Sequence, residues 1–157
     1  MRPRRAHLGG SLSPFPREPA LDDLQEFARQ VFASQPFSQF LGAQLTQAGP
    51  GTAEIQIPIT DSLKQQHGFV HGGVLSYLAD NSITFAGGLA LGGNALTSEY
   101  KINYLKPAVG SLLIARAQAK GVGKRQAICQ CEIFAVKDDG EEKLCAIALG
   151  TVVSAGS

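Results

Sequence analysis

The hydrophobic period of this chain switches from helical to alternating, back to helical, and then to alternating again. Leu21, Leu24, Phe27, Ala28, Val31 and Phe32 recur at helical spacing and predict a short amphipathic helix. Asp22, Asp23 and Glu26 fall early in it, where they suit the helix dipole, and Pro36 is expected to end it. Residues 41–48 and 52–59 follow as a predicted hairpin around the turn Gly49-Pro50-Gly51. In the second strand Ala53, Ile55 and Ile57 alternate with Glu54, Gln56 and Pro58, and Pro58 marks a strand end or a sheet edge.

From Phe69 to Leu96 the pattern becomes a nearly continuous apolar run. Leu75, Leu78, Ile83, Phe85, Ala86, Leu89 and Leu91 cover too many helical positions to form one stripe, which predicts a buried helix. The run is long enough to raise a membrane span. Asp80 in its middle, and Gly87, Gly88, Gly92 and Gly93 towards its end, favour a buried helix that stops at the glycines. Alternation then returns in residues 97–106, 111–122, 125–137 and 143–154, separated by turns at 107–110, 121–124 and 138–141. Short turns between consecutive strands predict an antiparallel meander. The fold class is α+β: one antiparallel sheet curled around one long central helix, with a short helix before it.

Composition narrows the picture. At 157 residues the chain suits one domain, over 20–157, behind an arm at 1–19 that is rich in arginine and proline and lacks the apolar core of a signal peptide. A formal charge of +1 gives no bulk attraction to nucleic acid or to a membrane surface. The three cysteines are an odd number without a Cys-x-x-Cys pair, as expected for reduced thiols in the cytoplasm. Cys129 and Cys131 share one face of a strand and are expected to be small core residues.

The candidate chemistry centres on one carboxylate. Between Lys64 and Glu99, Asp80 is the only residue of fixed charge. A carboxylate in such surroundings is paired, or exposed in a cleft, or present for chemistry. His71-Gly72-Gly73 opens the helix, where unpaired N–H groups and the dipole favour negative charge and glycines allow close approach. Such an end holds an oxyanion or polarises a carbonyl. Gly72 and Asp80 are eight residues apart, or about 12 Å along a helix, too far to share one carbonyl within a chain. Two antiparallel copies across a two-fold axis would bring Gly72 of one to Asp80 of the other. His67 precedes His71 by four residues and raises a metal site with Asp80, but Gly68 between them disfavours the helix that this geometry needs; no metal is expected.

Gln65, then His71-Gly72-Gly73, then Leu78-Ala79-Asp80 in a long apolar helix, then a strand ending Tyr104-Leu105-Lys106-Pro107, together resemble the hotdog-fold acyl-CoA thioesterases of the phenylacetic-acid-degradation (PaaI-like) type. The resemblance covers about residues 37–154. It implies a hotdog fold, hydrolysis of a coenzyme A thioester without a bound cofactor, and a homodimer that pairs again into a tetramer. It also implies that Asp80 is nucleophile or general base, that the Gly72 N–H stabilises the thioester oxygen, and that His71 orients the loop or the thioester. Gln65 stands where the family often has Asn, and Thr97 matches a hydroxyl that positions water in some members, with Ser98 on the opposite face. For coenzyme A itself the expected contacts are Gly73 and the basic residues Lys106, Lys124 and Arg125 at strand ends and turns. Phe69, Tyr77, Phe85 and Tyr100 are candidates to line the acyl pocket.

Other chemistries lack their motifs. The chain has no Gly-x-Ser-x-Gly elbow, no phosphate loop of the Gly-x-x-x-x-Gly-Lys-Ser/Thr kind and no Gly-x-Gly-x-x-Gly. A hotdog dehydratase or hydratase would carry a His-Phe-Pro type motif, which is absent. A non-catalytic acyl-CoA-binding module is the alternative from another class.

Overall fold

The computed structural model describes residues 20–156. The arm expected over 1–19 lies outside the described residues. The elements run α1 (Leu21–Ala33), α2 (Pro36–Phe40), β1 (Gln44–Gly49), β2 (Thr52–Pro58), a single 3₁₀ turn at Asp61–Leu63, α3 (Gly72–Leu91), β3 (Ala95–Tyr104), β4 (Leu112–Val122), β5 (Gln126–Val136) and β6 (Glu142–Ser154). All six strands join one antiparallel sheet, and α3 packs on β2, β3, β4, β5 and β6. No helix among the described residues is long and apolar enough to cross a membrane.

Three local readings of the sequence are corrected. Pro36 does not only stop α1; it opens a second helix, α2, at a position where a missing N–H costs nothing. The inward stripe of α1 splits. Ala28 and Phe32 are buried, whereas Phe27 and Val31 stand 55% and 40% exposed. The last four strands are not a simple meander either, since the sheet order is β1-β2-β4-β5-β6-β3. β3 pairs with β6, from Ala95 opposite Ser154 to Tyr104 opposite Ala146. Three strand spacings separate β3 from β4, about 14 Å. The connection 105–111 can reach about 23 Å when extended, so a short link crosses beneath the helix start instead of forming a hairpin. There the Val70 N–H donates to the Ala108 carbonyl at 3.1 Å. Pro58 ends β2, which lies inside the sheet between β1 and β4.

The core is the inner sheet face against α3. Leu78 and Ile83 from the helix meet Ile55, Ile57, Leu113, Ile133 and Val152 from the strands, all fully buried. Cys129, Cys131 and Cys145 belong to the same layer and are free thiols. Burial pushes Cys129 up to about 11 and Cys131 up to about 12, so both stay protonated and unreactive at neutral pH. α3 packs tightly on β6 at Gly87, where an added Cβ would lie 2.6 Å from the Val152 side chain. Gly87→Ala is expected to destabilise the fold by about 1–3 kcal/mol through overpacking, despite the better helix propensity of alanine. Urea unfolding of the two proteins checks this.

Candidate active site

The helix start is held by its own sequence. His71 is the N-cap of α3, and its Nδ1 accepts the Gly73 N–H at 2.9 Å. That fixes the neutral imidazole with its proton on Nε2. The Tyr104 hydroxyl donates to the Gly72 carbonyl at 3.1 Å. The peptide between Gly72 and Gly73 is therefore clamped at both its C=O and its N–H. The N–H of Gly72, one peptide earlier, meets no acceptor among the described residues. It is a fixed, unspent donor at the positive end of a 20-residue helix.

The segment before it is a tight turn. Gly68 N–H donates to the Gln65 carbonyl and Gln65 N–H to the Phe69 carbonyl, with Gly68 at φ +86°. The Gln65 side-chain oxygen accepts the His67 N–H. The turn rules out a helix carrying His67 and His71 on one face. Gln65, Phe69, Gly72, Tyr104 and Lys106 border one cleft of about 350 Å³.

Asp80 sits two turns further along, in a separate cleft of about 400 Å³ with Gln35, Phe37, Tyr77, Asn81 and Thr84. Its residue is half-buried. Among the described residues no cation and no hydrogen-bond donor reaches its carboxylate. A hydroxyl chain runs beside it. Thr84 Oγ1 donates to the Asp80 carbonyl at 2.8 Å, and Thr97 Oγ1 lies 2.5 Å from Thr84 Oγ1. With the Thr84 proton committed to the carbonyl, Thr97 is the donor of that pair. The ladder slips between Thr97 and Glu99, so Ser98 is the extra residue of a bulge and strict alternation across the sheet is broken there.

The opposite wall of this cleft is a polar cluster that tethers α2 to α3. Ser38 Oγ donates to Gln35 Oε1 at 2.7 Å and lies 2.5 Å from the Tyr77 hydroxyl. Asn81 Nδ2 reaches Gln35 Oε1 at 3.0 Å and the Tyr77 hydroxyl at 3.1 Å. Burial raises the Tyr77 pKa, so the phenol remains a neutral partner in the cluster.

The chain thus brings Gln65, Gly72, Tyr104 and Lys106 together, and separately Asp80, Thr84 and Thr97. Gly73 spends its N–H on His71. Lys124 and Arg125 lie at the β4–β5 turn, at the end of the sheet away from Gly72. Of the four aromatic candidates, Phe69 borders the Gly72 cleft and Tyr77 the Asp80 cleft. Phe85 is buried against Phe32 at 5.6 Å between ring centroids, and the Tyr100 hydroxyl is bonded to Ser76. Sequence reasoning missed Gln35, Thr84 and Tyr104. Thr84 had a signal, as a hydroxyl one helical turn after Asp80; Gln35 had none, because α2 was not foreseen.

One curled antiparallel sheet around a central helix, with a free donor at the helix start and a free carboxylate in its middle, defines a protein of the hotdog class. The thioesterase superfamily profile matches residues 67–142, which contain both features. A thioesterase family protein from Silicibacter pomeroyi is 32% identical, with 80% of this chain and 93% of that one covered and a TM-score of 0.72. The PaaI protein of the phenylacetic acid degradation operon of E. coli is 26% identical over 85% of this chain and 97% of that one, with a TM-score of 0.74. A 1,4-dihydroxy-2-naphthoyl-CoA hydrolase of Listeria monocytogenes is 25% identical over 107 residues, 67% of this chain and 85% of that protein. The chain belongs to the thioesterase superfamily.

Proposed function

We propose that the protein hydrolyses acyl-CoA thioesters to a carboxylic acid and coenzyme A, in sites that two copies of the chain complete together. The observation that carries this reading is the unspent pair on α3: the Gly72 N–H and the Asp80 carboxylate, both without partners among the described residues. Each is the half of a site that the other lacks, and about 12 Å of helix keeps them apart in one chain.

The sheet offers the surface for the second copy. β3 pairs with β6 on one side and with nothing on the other among the described residues. Leu96 and Tyr104 are 63% and 53% exposed on it. A free edge of ten residues invites pairing with its own symmetry mate. Antiparallel pairing there sets the two α3 helices side by side in opposite directions, with Gly72 of each against Asp80 of the other. The same two-fold axis turns the end bearing Lys124 and Arg125 towards the Gly72 end of the other copy, where Lys106 also stands. These cations suit the phosphates of coenzyme A. A second pairing of dimers and a cytoplasmic, thiol-reducing location complete the proposal.

In the reaction the Gly72 N–H binds the thioester oxygen. With Asp80 as general base, water loses a proton to the carboxylate as its oxygen adds to the carbonyl carbon. The tetrahedral oxyanion collapses, the C–S bond breaks, and the departing thiolate takes the proton from Asp80. With Asp80 as nucleophile, its oxygen adds instead, the C–S bond breaks and the coenzyme A thiolate leaves, and water then cleaves the resulting anhydride, releasing the proton that the thiolate takes up. After a single turnover in ¹⁸O-labelled water, label in the Asp80 carboxylate marks the nucleophile, through attack of water on the aspartyl carbon of the anhydride. Thr97 and Thr84 stand where they can hold the water, and Gln65 stands beside the Gly72 donor.

Complementation between two inactive variants tests the shared site. Asp80→Asn and Gly72→Pro chains, mixed and allowed to exchange, form hybrid dimers with one intact site each. Random pairing of two-fold dimers should restore about a quarter of wild-type activity. Thiol release that stays at the level of the separate variants, although hybrids are seen by native mass spectrometry, would count against a site built from two chains.

A further inference from the structure

We infer that the acyl group is a linear, uncharged aliphatic chain, and that it lies in a groove between α1 and the second half of α3. This inference rests on the thioesterase reading above and adds the substrate class to it. The groove has a volume of about 130 Å³ and is walled by Phe27 and Val31 from α1 and by Phe85 and Leu89 from α3. It adjoins the Asp80 cleft, with Gln35 and Thr84 standing between the two and bordering both. Beside its far end lies a wider hollow at the end of α3, again lined by Phe27 and Leu89.

Three observations select the occupant. No Asp, Glu, Lys or Arg lines the groove, so it offers nothing to a charged group. Phe27 and Val31 stand on α1 one turn apart, 55% and 40% exposed, although the helix has buried positions for Ala28 and Phe32. An apolar chain laid between them and Leu89 would cover that surface. Asp23 borders the outer hollow and disfavours a tail ending in a carboxylate.

Length follows from the helix. From Asp80, where the thioester carbon reacts, to Leu89 is nine residues, or about 13 Å at helical rise. An extended hydrocarbon advances about 1.25 Å per bond, from bonds of about 1.5 Å, so the groove takes a chain on the order of ten carbons.

Titration calorimetry with S-decyl- and S-butyl-coenzyme A, thioethers that have no ester bond to cleave, tests the groove apart from turnover. Wild type is expected to bind the decyl compound at least about tenfold more tightly than the butyl one, since each added buried methylene favours binding. Val31→Trp, which fills the groove from the exposed side of α1, should abolish that preference. Phe27→Ala, which removes a wall and creates no bulk, should also narrow the preference if the tryptophan variant does not fold. Equal affinity for the two thioethers in wild type, or a decyl preference that both variants keep, overturns the inference. Absence of thiol release from every acyl-CoA would instead sink the thioesterase reading, and the thioether result would still decide the groove.

Discussion

Asp80→Asn is expected to lower kcat for acyl-CoA hydrolysis by at least about a hundredfold, the lower scale for removal of a positioned acid–base group and about 2.7 kcal/mol of barrier. The carboxylate lines a cleft, is half-buried, and makes no salt bridge or hydrogen bond among the described residues. A structural carboxylate at such a position would have a partner, since leaving one unpaired costs desolvation without return. Asparagine has nearly the same shape and breaks no bond that the carboxylate makes, so the melting temperature should hardly move. Free-thiol release and a thermal melt on the same preparation decide the matter. Full activity in the variant removes Asp80 from the chemistry. A large fall in melting temperature with activity retained would assign it to the fold.

Gly72→Pro is expected to cost about 10²–10³ in kcat, the magnitude for loss of one oxyanion donor, while the fold stays within about 1 kcal/mol of wild type. This substitution deletes the N–H and little else. Gly72 is the first residue of α3, the position where proline is tolerated best. His71 before it has φ −62° and ψ 135°, the extended conformation that a following proline requires. An added Cβ would meet the Tyr104 ring at 3.4 Å, an ordinary contact. Gly72→Ala is the control: it keeps the donor and adds only the methyl. Similar losses in both variants would mean that glycine serves close approach at this point, and that the missing N–H is not the cause.

The comparison of chain and structure is uneven along the molecule. α3 was legible because its apolar residues cover the whole circumference and glycines mark both ends, Gly72 and Gly73 at the start and Gly92 at the stop, where it takes the left-handed conformation at φ 78°. The strands were legible from alternation, and the buried cysteines from their place in it. The partner of β3 was not. Alternation tells which face of a strand is buried and carries no information about its neighbour, and a short connection was read as a hairpin where it crosses the end of the curl. α2 escaped because five residues give too little periodicity to register, and with it went the cluster of Gln35, Ser38, Tyr77 and Asn81.

The site shows the same division. Asp80 and Gly72 stood out by type and place alone: a lone charge in an apolar helix, and glycines at a helix start. Their separation by two turns followed from helical rise. That Gly73 spends its N–H on His71 while Gly72 keeps its own depends on side-chain conformation. That Tyr104 locks the Gly72 carbonyl, and that Thr84 and Thr97 meet beside Asp80, depends on a strand thirteen or more residues further along the chain. Local pattern determined the elements and the residues capable of chemistry, because period, capping and charge act over a few residues. Only the tertiary structure decided which of those residues face one another, because the order of strands and the packing of α1 and α2 on the rest are set by burial summed over the whole chain.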